Sequence, residues 1–542
     1  MRFVWIAVLV VALFASVVSA SSDTIHVLTV SQANDSRGGV AQIQLQTRPG
    51  QGSTFIDSFP LTQVDTQMST RFAREYACQL ASRSCQNRDF FYVIRTQSSV
   101  VAGPSAGAAM TVLTYAVLEG IPLRTDTVMT GTINSGGLIG PVGGTNQKIL
   151  AAREAGFARV LIPQDQYDPL FRVEGIEVVA VSDIEEAIWY FTGRDVRPAP
   201  IEISVPQEYT DQMREVMDTL CTRAQQIAGV MDGVSNATQQ RLLDASAMAA
   251  RGRYYTAASF CFGANLDLRS EQFANFSQAE LRRIYRTLDT DIEAFDQTLS
   301  REFSTVADLE VFMIVRERLL DASNTLRRID IHDIPPDRLA YALERFTSAV
   351  TWNSFMGVVP SREVEVTDDQ LRHSCLTKTG EAEERLNYVR FILGETLEGT
   401  QQEVSNAMEY QRQQEWALCT FTAAKAKAQA DSVISALYGG NVSQSVERRL
   451  AKAEQNIARL SVQNSFPIIA FAYFEYAQDL ENPFSANLYA ELAMEMAGLA
   501  IHFPAEQRSF SVDTDRLFLL LSGLLTGLVA GIMLAELYRR RR

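Results

Sequence analysis

The sequence predicts an α/β (α+β) domain followed by a mostly α-helical domain and a C-terminal transmembrane helix. Two changes of texture and one apolar run carry that prediction. From residue 24 to about 195, short β-branched segments alternate with amphipathic helical ones. From 208 to about 505 the apolar spacing is helical throughout. Residues 517–537 form an apolar run, and roughly 20 such residues cover a bilayer core.

The elements follow in order. Residues 24–30 (TIHVLTV) and 38–47 (GGVAQIQLQT) alternate like strands. Residues 62–81 carry Val64, Met68, Phe72, Tyr76 and Leu80 at helical spacing. Residues 90–96 read as a strand, and 104–119 as a helix with Pro104 in its first turn, where a missing N–H costs nothing. A strand (127–133), a helix ending at Gly156, strands at 158–163 and 176–182, and a helix opened by an Asp183 cap complete the domain. The proline-rich stretch 196–207 is a linker, and 208–510 is the helical domain. Within it, 240–268 and 448–480 are loosely alike, but two copies do not make a solenoid.

Both ends read as targeting segments. Residues 1–20 have one arginine, an apolar run and a small-residue site, the pattern of a signal peptide. Residues 538–542 form a basic tail, so the positive-inside tendency places it in the cytoplasm. The expected placement is the cell membrane, single-pass, with the bulk of the chain extracytoplasmic. Gly523, Gly527 and Gly531 line one face of the span. Four N-x-S/T triplets (Asn34, Asn236, Asn275 and Asn441) fit that location, though such triplets also arise by chance.

Net charge −15 argues against nucleic acid as a partner, because phosphate binding needs a basic surface. Six cysteines (78, 85, 221, 261, 375 and 419) allow 15 pairings, with neighbour pairing the simplest. No CxxC exists and histidines number four, so no metal site and no cofactor are expected.

Residues 103–107 (GPSAG) satisfy G-x-S-x-G, which alone is a weak signal. In the α/β-hydrolase form of that motif an Asp and then a His follow the serine, and the histidines after Ser105 (332, 373 and 502) all lie in the helical domain. That also weakens an esterase or acyltransferase reading. Another base must take the serine proton, and a desolvated lysine can. The chain holds five lysines against 44 arginines, and Lys148 is alone in the first 377 residues. Arginine cannot serve as that base.

The segment "GPSAG…TVMTGTINSGGLIGPVGGTNQKILAAREAGFARVLIP" (103–163) resembles the proteolytic domain of the Lon family of peptidases. The resemblance covers about 24–195 and implies a serine peptidase with a Ser105/Lys148 dyad, 43 residues apart, and Thr130 orienting the lysine. Three departures stand out. The acidic residue common before GPSAG is Ala102, the Glu of the family's MTGE is Thr132, and no G-x-x-x-x-G-K-[ST] ATPase motif occurs. The chain therefore looks like the membrane-anchored, ATP-independent Lon-like proteases of archaea. The resemblance implies polypeptide substrates, no use of ATP and a homo-oligomer. Ser105 is expected at a helix N-terminus, where unpaired N–H groups favour negative charge, so its own N–H with that of Gly103 or Ala102 can serve as an oxyanion hole. Glycines 136, 137, 143 and 144 either open backbone edges to an extended substrate or serve turn geometry. The alternative function is a catalytically inactive membrane-anchored scaffold, and the retention of Lys148 counts against it.

Overall fold

The computed structural model describes residues 21–30, 37–59, 64–83, 85–96, 103–364, 366–394, 396–438 and 442–503, with seven further helical positions between 523 and 540. Residues up to Phe503 form one compact unit, and Pro504–Arg542 a second.

In the first unit, seven strands form one sheet: β1 (Ser21–Val30), β2 (Gly38–Pro49), β3 (Thr54–Phe59), β4 (Arg88–Arg95), β5 (Thr127–Met129), β8 (Arg159–Pro163) and β9 (Glu177–Val181). Their order is β3-β4-β2-β1-β5-β8-β9. The β1/β2 and β2/β4 pairs are antiparallel (Ile25 opposite Ile43, Leu45 opposite Tyr92). The β1/β5, β5/β8 and β8/β9 pairs are parallel, with Met129 opposite Val27 and Leu161. Strand β2 shows the period-2 rule: Ala41, Ile43, Leu45 and Thr47 are buried, whereas Gln42 and Gln44 are exposed. Strand β5 is buried throughout, as a parallel strand between two others should be.

Helices α1 (Val64–Leu80), α2 (Gly107–Glu119), α3 (Thr145–Glu154) and α4 (Ile184–Thr192) cover the sheet. Asp183 caps α4 by accepting the Glu186 N–H at 2.9 Å, as its sequence predicts. Helix α2 starts at Gly107, three residues later than expected. Gly103 sits at φ +91°, and the Gly107 N–H bonds the Pro104 carbonyl at 3.0 Å, so Pro104–Ala106 form a tight turn ahead of the helix. Residues 107–118 of α2 are all buried, which explains its unbroken apolar run. A two-stranded ladder, β6 (Thr132–Ile133) with β7 (Ile139–Gly140), lies between β5 and α3.

Twelve helices follow between Gln207 and Gly498 among the described residues. Four of them bear on the site: α11 (Asp368–Leu393), α13 (Trp416–Tyr438), α14 (Val442–Val462) and α16 (Pro483–Gly498). For continuity of numbering, α5–α10 span Gln207–Asn353, α12 is Glu398–Arg412 and α15 is Ile468–Asp479.

The cysteines pair with their neighbours: Cys78–Cys85, Cys221–Cys261 and Cys375–Cys419. Closing loops of 40 and 44 residues, the last two should each contribute on the order of 3–4 kcal/mol by restricting the unfolded chain. Replacing Cys221 and Cys261 together by alanine is expected to lower the urea midpoint accordingly. An unchanged midpoint would show that this crosslink contributes no stability.

The C-terminal transmembrane helix is corrected. Among the described residues no helix is long and apolar enough to cross a membrane. The fold class is thus the α/β part followed by the helical part. The single-pass membrane placement, and the membrane as a partner through that helix, fall with the span. The apolar residues that suggested it lie largely outside the described ones, as do residues 1–20. Gly523, Gly527 and Gly531 are helical and exposed.

Candidate active site

Ser105, Thr130 and Lys148 arrive from three elements. Thr130 follows β5 at the carboxyl end of a parallel strand, its N–H bonded to the Leu161 carbonyl of β8 at 3.1 Å. Ser105 lies in the turn before α2. Its carbonyl accepts the Gly131 N–H at 2.9 Å, and the Ala108 N–H returns to the Gly131 carbonyl at 3.1 Å. Gly131 is required there, because a Cβ would stand 2.4 Å from the Ile139 side chain. Lys148 is in the first turn of α3, its N–H bonded to the Gly144 carbonyl at 3.0 Å.

Thr130 joins the other two. Lys148 Nζ donates to Thr130 Oγ1 at 3.0 Å, and the same hydroxyl donates to the Ser105 carbonyl at 3.3 Å. With its proton committed to Ser105, the threonine oxygen is left as an acceptor for the lysine. Among the described residues the Ser105 hydroxyl has no hydrogen-bond partner, so Lys148 and Ser105 are linked through Thr130 and the Ser105 carbonyl and not by a direct bond.

The lysine environment is the chemical signal. Lys148 is 3% exposed, and burial alone pulls its pKa from 10.5 down to about 7. The other four lysines all face carboxylates: Lys378 with Glu381 at 2.8 Å, Lys425 with Glu317 at 2.7 Å, Lys427 with Asp431 at 3.0 Å and Lys452 with Glu185 at 2.9 Å. For Lys378, Lys425 and Lys427 those carboxylates outweigh burial and raise the pKa. Lys148 has no carboxylate among the described residues. Burial unopposed by a carboxylate thus moves Lys148 in the direction opposite to Lys378, Lys425 and Lys427.

Of the expected oxyanion donors, Ser105 and Gly103 lie among the described residues. The Gly103 N–H is already given to Asp65 Oδ2 at 2.7 Å, so it is not free to receive an oxyanion. Ala102 lies outside the described residues. The Ser105 and Ala106 N–H groups have no acceptor among the described residues and stand at the entry to α2, where the helix dipole favours negative charge.

The glycines of the 131–144 segment serve close approach. A Cβ on Gly136 would stand 2.5 Å from Asn456 Nδ2, and one on Gly137 would stand 2.1 Å from the Tyr76 hydroxyl. A Cβ on Gly144 would stand 2.7 Å from Val30. All three glycines also sit at positive φ (71°, 82° and 66°), as turn geometry requires. Thr132, in place of the expected Glu, is buried with its hydroxyl bonded to Asn134 Oδ1 at 3.2 Å.

Sequence reasoning missed the partners of this segment in the helical half. Arg385 of α11 donates to the Ile133 carbonyl at 2.8 Å, and Tyr388 to the Pro141 carbonyl at 3.3 Å. Lys427 of α13 donates to Ser135 Oγ at 3.2 Å. Glu495 of α16 accepts from both Ser135 and Lys427, and from Lys378 at 3.2 Å. From within the α/β part, Tyr76 donates to the Gly136 carbonyl at 3.0 Å, and the Gln166 side chain brackets both backbone atoms of Val142 at 2.7–2.8 Å. The segment between Thr130 and Lys148 is thus fixed from both sides. A polar cleft of about 660 Å³ opens beside the start of α3, lined in part by Thr145, Gln147, Tyr167 and Arg448.

The sheet, the Ser105 turn and the buried lysine lie within or beside a segment that resembles a known domain family. Residues 68–189 match the family described as the Lon protease (S16) C-terminal proteolytic domain. Among curated relatives, the Lon protease of Azospirillum brasilense is 33% identical over 143 residues, which is 24% of this chain and 18% of that protein. Lon protease 1 of Sorangium cellulosum is 29% identical over 181 residues (32% of this chain, 22% of that protein). Lon protease 2 of Bacillus subtilis is 38% identical over 89 residues (16% of each). The chain spans less than a quarter of the length of these bacterial relatives.

Proposed function

We propose that this chain is a serine endopeptidase that cuts unfolded or flexible polypeptides without ATP, with Ser105 as nucleophile and Lys148 as general base. The observation that carries the reading is Lys148: buried, without a carboxylate, held by Thr130 and lowered to about 7.

The neutral lysine donates one N–H to Thr130, which leaves its lone pair for the Ser105 proton. As that proton moves to Nζ, Ser105 Oγ bonds the substrate carbonyl carbon. The carbonyl oxygen takes the electron pair, held by the Ser105 and Ala106 N–H groups. Losing one such donor typically slows acyl transfer by about 10²–10³-fold. The Lys148 ammonium then returns the proton to the leaving nitrogen as the C–N bond breaks, and water repeats the sequence on the acyl-enzyme.

No ATPase motif is present in the 542 residues, so cleavage of an unstructured protein by the purified full chain should proceed equally with and without nucleotide. Absolute dependence on ATP would overturn that part of the reading. Below pH 7 the neutral fraction of Lys148 falls tenfold per pH unit, so kcat/KM should rise with pH and level off above about 7. Glu384, raised by burial to about 7, titrates in the same range. Glu384→Gln should keep the acid limb if Lys148 is its source. Loss of the limb in that variant would assign it elsewhere.

A further inference from the structure

The first turn of α1 holds both polar atoms of the Gly103 peptide. Asp65 Oδ2 accepts the Gly103 N–H at 2.7 Å, and the Thr66 hydroxyl donates to the Gly103 carbonyl at 3.4 Å. The other Asp65 oxygen accepts the Thr66 N–H at 2.8 Å. One carboxylate therefore bridges an α1 amide and the amide two residues before the nucleophile. A charged acceptor makes the stronger kind of hydrogen bond.

Gly103 is glycine for its backbone. Nothing lies within 4 Å of where its Cβ would be, yet φ is +91°, a conformation costly for any other residue. Pro104, whose ring fixes its own φ, is the single residue between Gly103 and Ser105. The direction in which the chain leaves Gly103 therefore sets where Ser105 lies. On its far side the turn is tied by the Ser105 carbonyl to Gly131 and Thr130. On its near side the described tie is α1.

We propose that Asp65 is the positioning residue of the nucleophile, its carboxylate fixing the Gly103 amide so that the turn presents Ser105 to Lys148. The proposal rests on the dyad reading above. Its electrostatics are consistent with that role. Both Asp65 oxygens are engaged by N–H donors.

The test compares Asp65→Ala and Asp65→Asn in the full chain. Asparagine keeps one oxygen able to accept the Gly103 N–H; alanine keeps none. A misplacement of about 1 Å in a reacting group costs roughly 10²-fold, so Asp65→Ala should lower kcat about a hundredfold with KM within about threefold. Asp65→Asn should recover kcat to within about tenfold of wild type. Wild-type kcat in Asp65→Ala would overturn the proposal. So would Asp65→Asn faster than wild type, which would make the carboxylate an obstruction. If Asp65→Ala fails to fold, Asp65→Ser against Asp65→Asn makes the same comparison. Hydrogen exchange of a peptide containing the Gly103 amide supplies a readout independent of cleavage: protection in wild type and its loss in Asp65→Ala are expected. Fast exchange in wild type would itself refute the tie. If wild type neither cuts nor reacts with a fluorophosphonate, the peptidase reading fails. The catalytic part of this proposal then falls with it, while exchange still decides whether Asp65 holds Gly103.

Discussion

Lys148→Met is expected to slow cleavage about 10²–10⁴-fold and to yield a more stable protein. The loss follows from the dyad, since a positioned general base contributes about 10²–10⁴-fold and methionine has no proton acceptor of that kind. The gain follows from linkage. Lys148 has a folded pKa of about 7 against 10.5 for the ordinary side chain, so between those values the unfolded chain binds more protons than the folded one. Stability therefore rises as pH increases from about 7 to 10.5, and at neutral pH this lysine costs a few kcal/mol. A methionine of similar volume removes that cost. Urea titrations at pH 7 and pH 10 should show Lys148→Met more stable than wild type at pH 7, with the gap closing at pH 10. Lys148→Arg is the poorer variant, because it would bury a permanent charge with no carboxylate to meet it. A destabilised Lys148→Met at pH 7 would mean that the lysine is charged in the folded state.

Lys427→Met is expected to have the opposite effect and to destabilise the chain by about 3–5 kcal/mol, the usual cost of breaking a buried ion pair from one side. Its ammonium meets Asp431 at 3.0 Å, Glu495 and the Ser135 hydroxyl, all buried. Removing it leaves Asp431 and Glu495 underpaired. Burial pushes Glu495 up, but the Lys378 and Lys427 ammoniums outweigh it and hold the group at about 2. The stability that Glu495 contributes is thus present above about 4.5 and is lost as pH falls towards 2. Adding Glu495→Gln to Lys427→Met should recover part of the loss, because the two side chains touch and their effects do not add. Additive losses would mean that they are energetically independent. Cleavage should fall as well, since Ser135 lies on the segment joining Thr130 to Lys148.

The dyad candidates were legible because their chemistry is written in residue type: a serine in GPSAG and a lone lysine in an arginine-rich domain. The strands around them were legible from alternation and the Asp183 cap from its side chain. Strand β3 (TFIDSF) was missed. It is an edge strand whose burial alternates, but Phe55 and Phe59 are on the exposed face and Thr54 and Ser58 on the half-buried one, so hydropathy does not mark it. Asp65 was missed because it looks like any acid in the first turn of a helix; its partner is 38 residues away. The grip of α11, α13 and α16 on the 131–144 segment was equally hidden. Lys427 and Ser135 are 292 residues apart, and a buried lysine and an exposed one share the same letter. For the 131–144 glycines the turn-geometry alternative is met, since Gly136, Gly137 and Gly144 have positive φ, whereas the close approach of Tyr76, Asn456 and Val30 to them was not legible.

The most direct test of the central claim is covalent labelling of Ser105 by a fluorophosphonate in the full chain, followed by mass spectrometry across pH 5–9. The account predicts labelling at Ser105 in wild type, rising with pH to a plateau with its midpoint near 7, and none in Ser105→Ala. Labelling of Lys148→Met should be slower by about 10²-fold or more. A Ser105 that stays unlabelled in folded wild type, or that reacts equally fast in Lys148→Met, would contradict it.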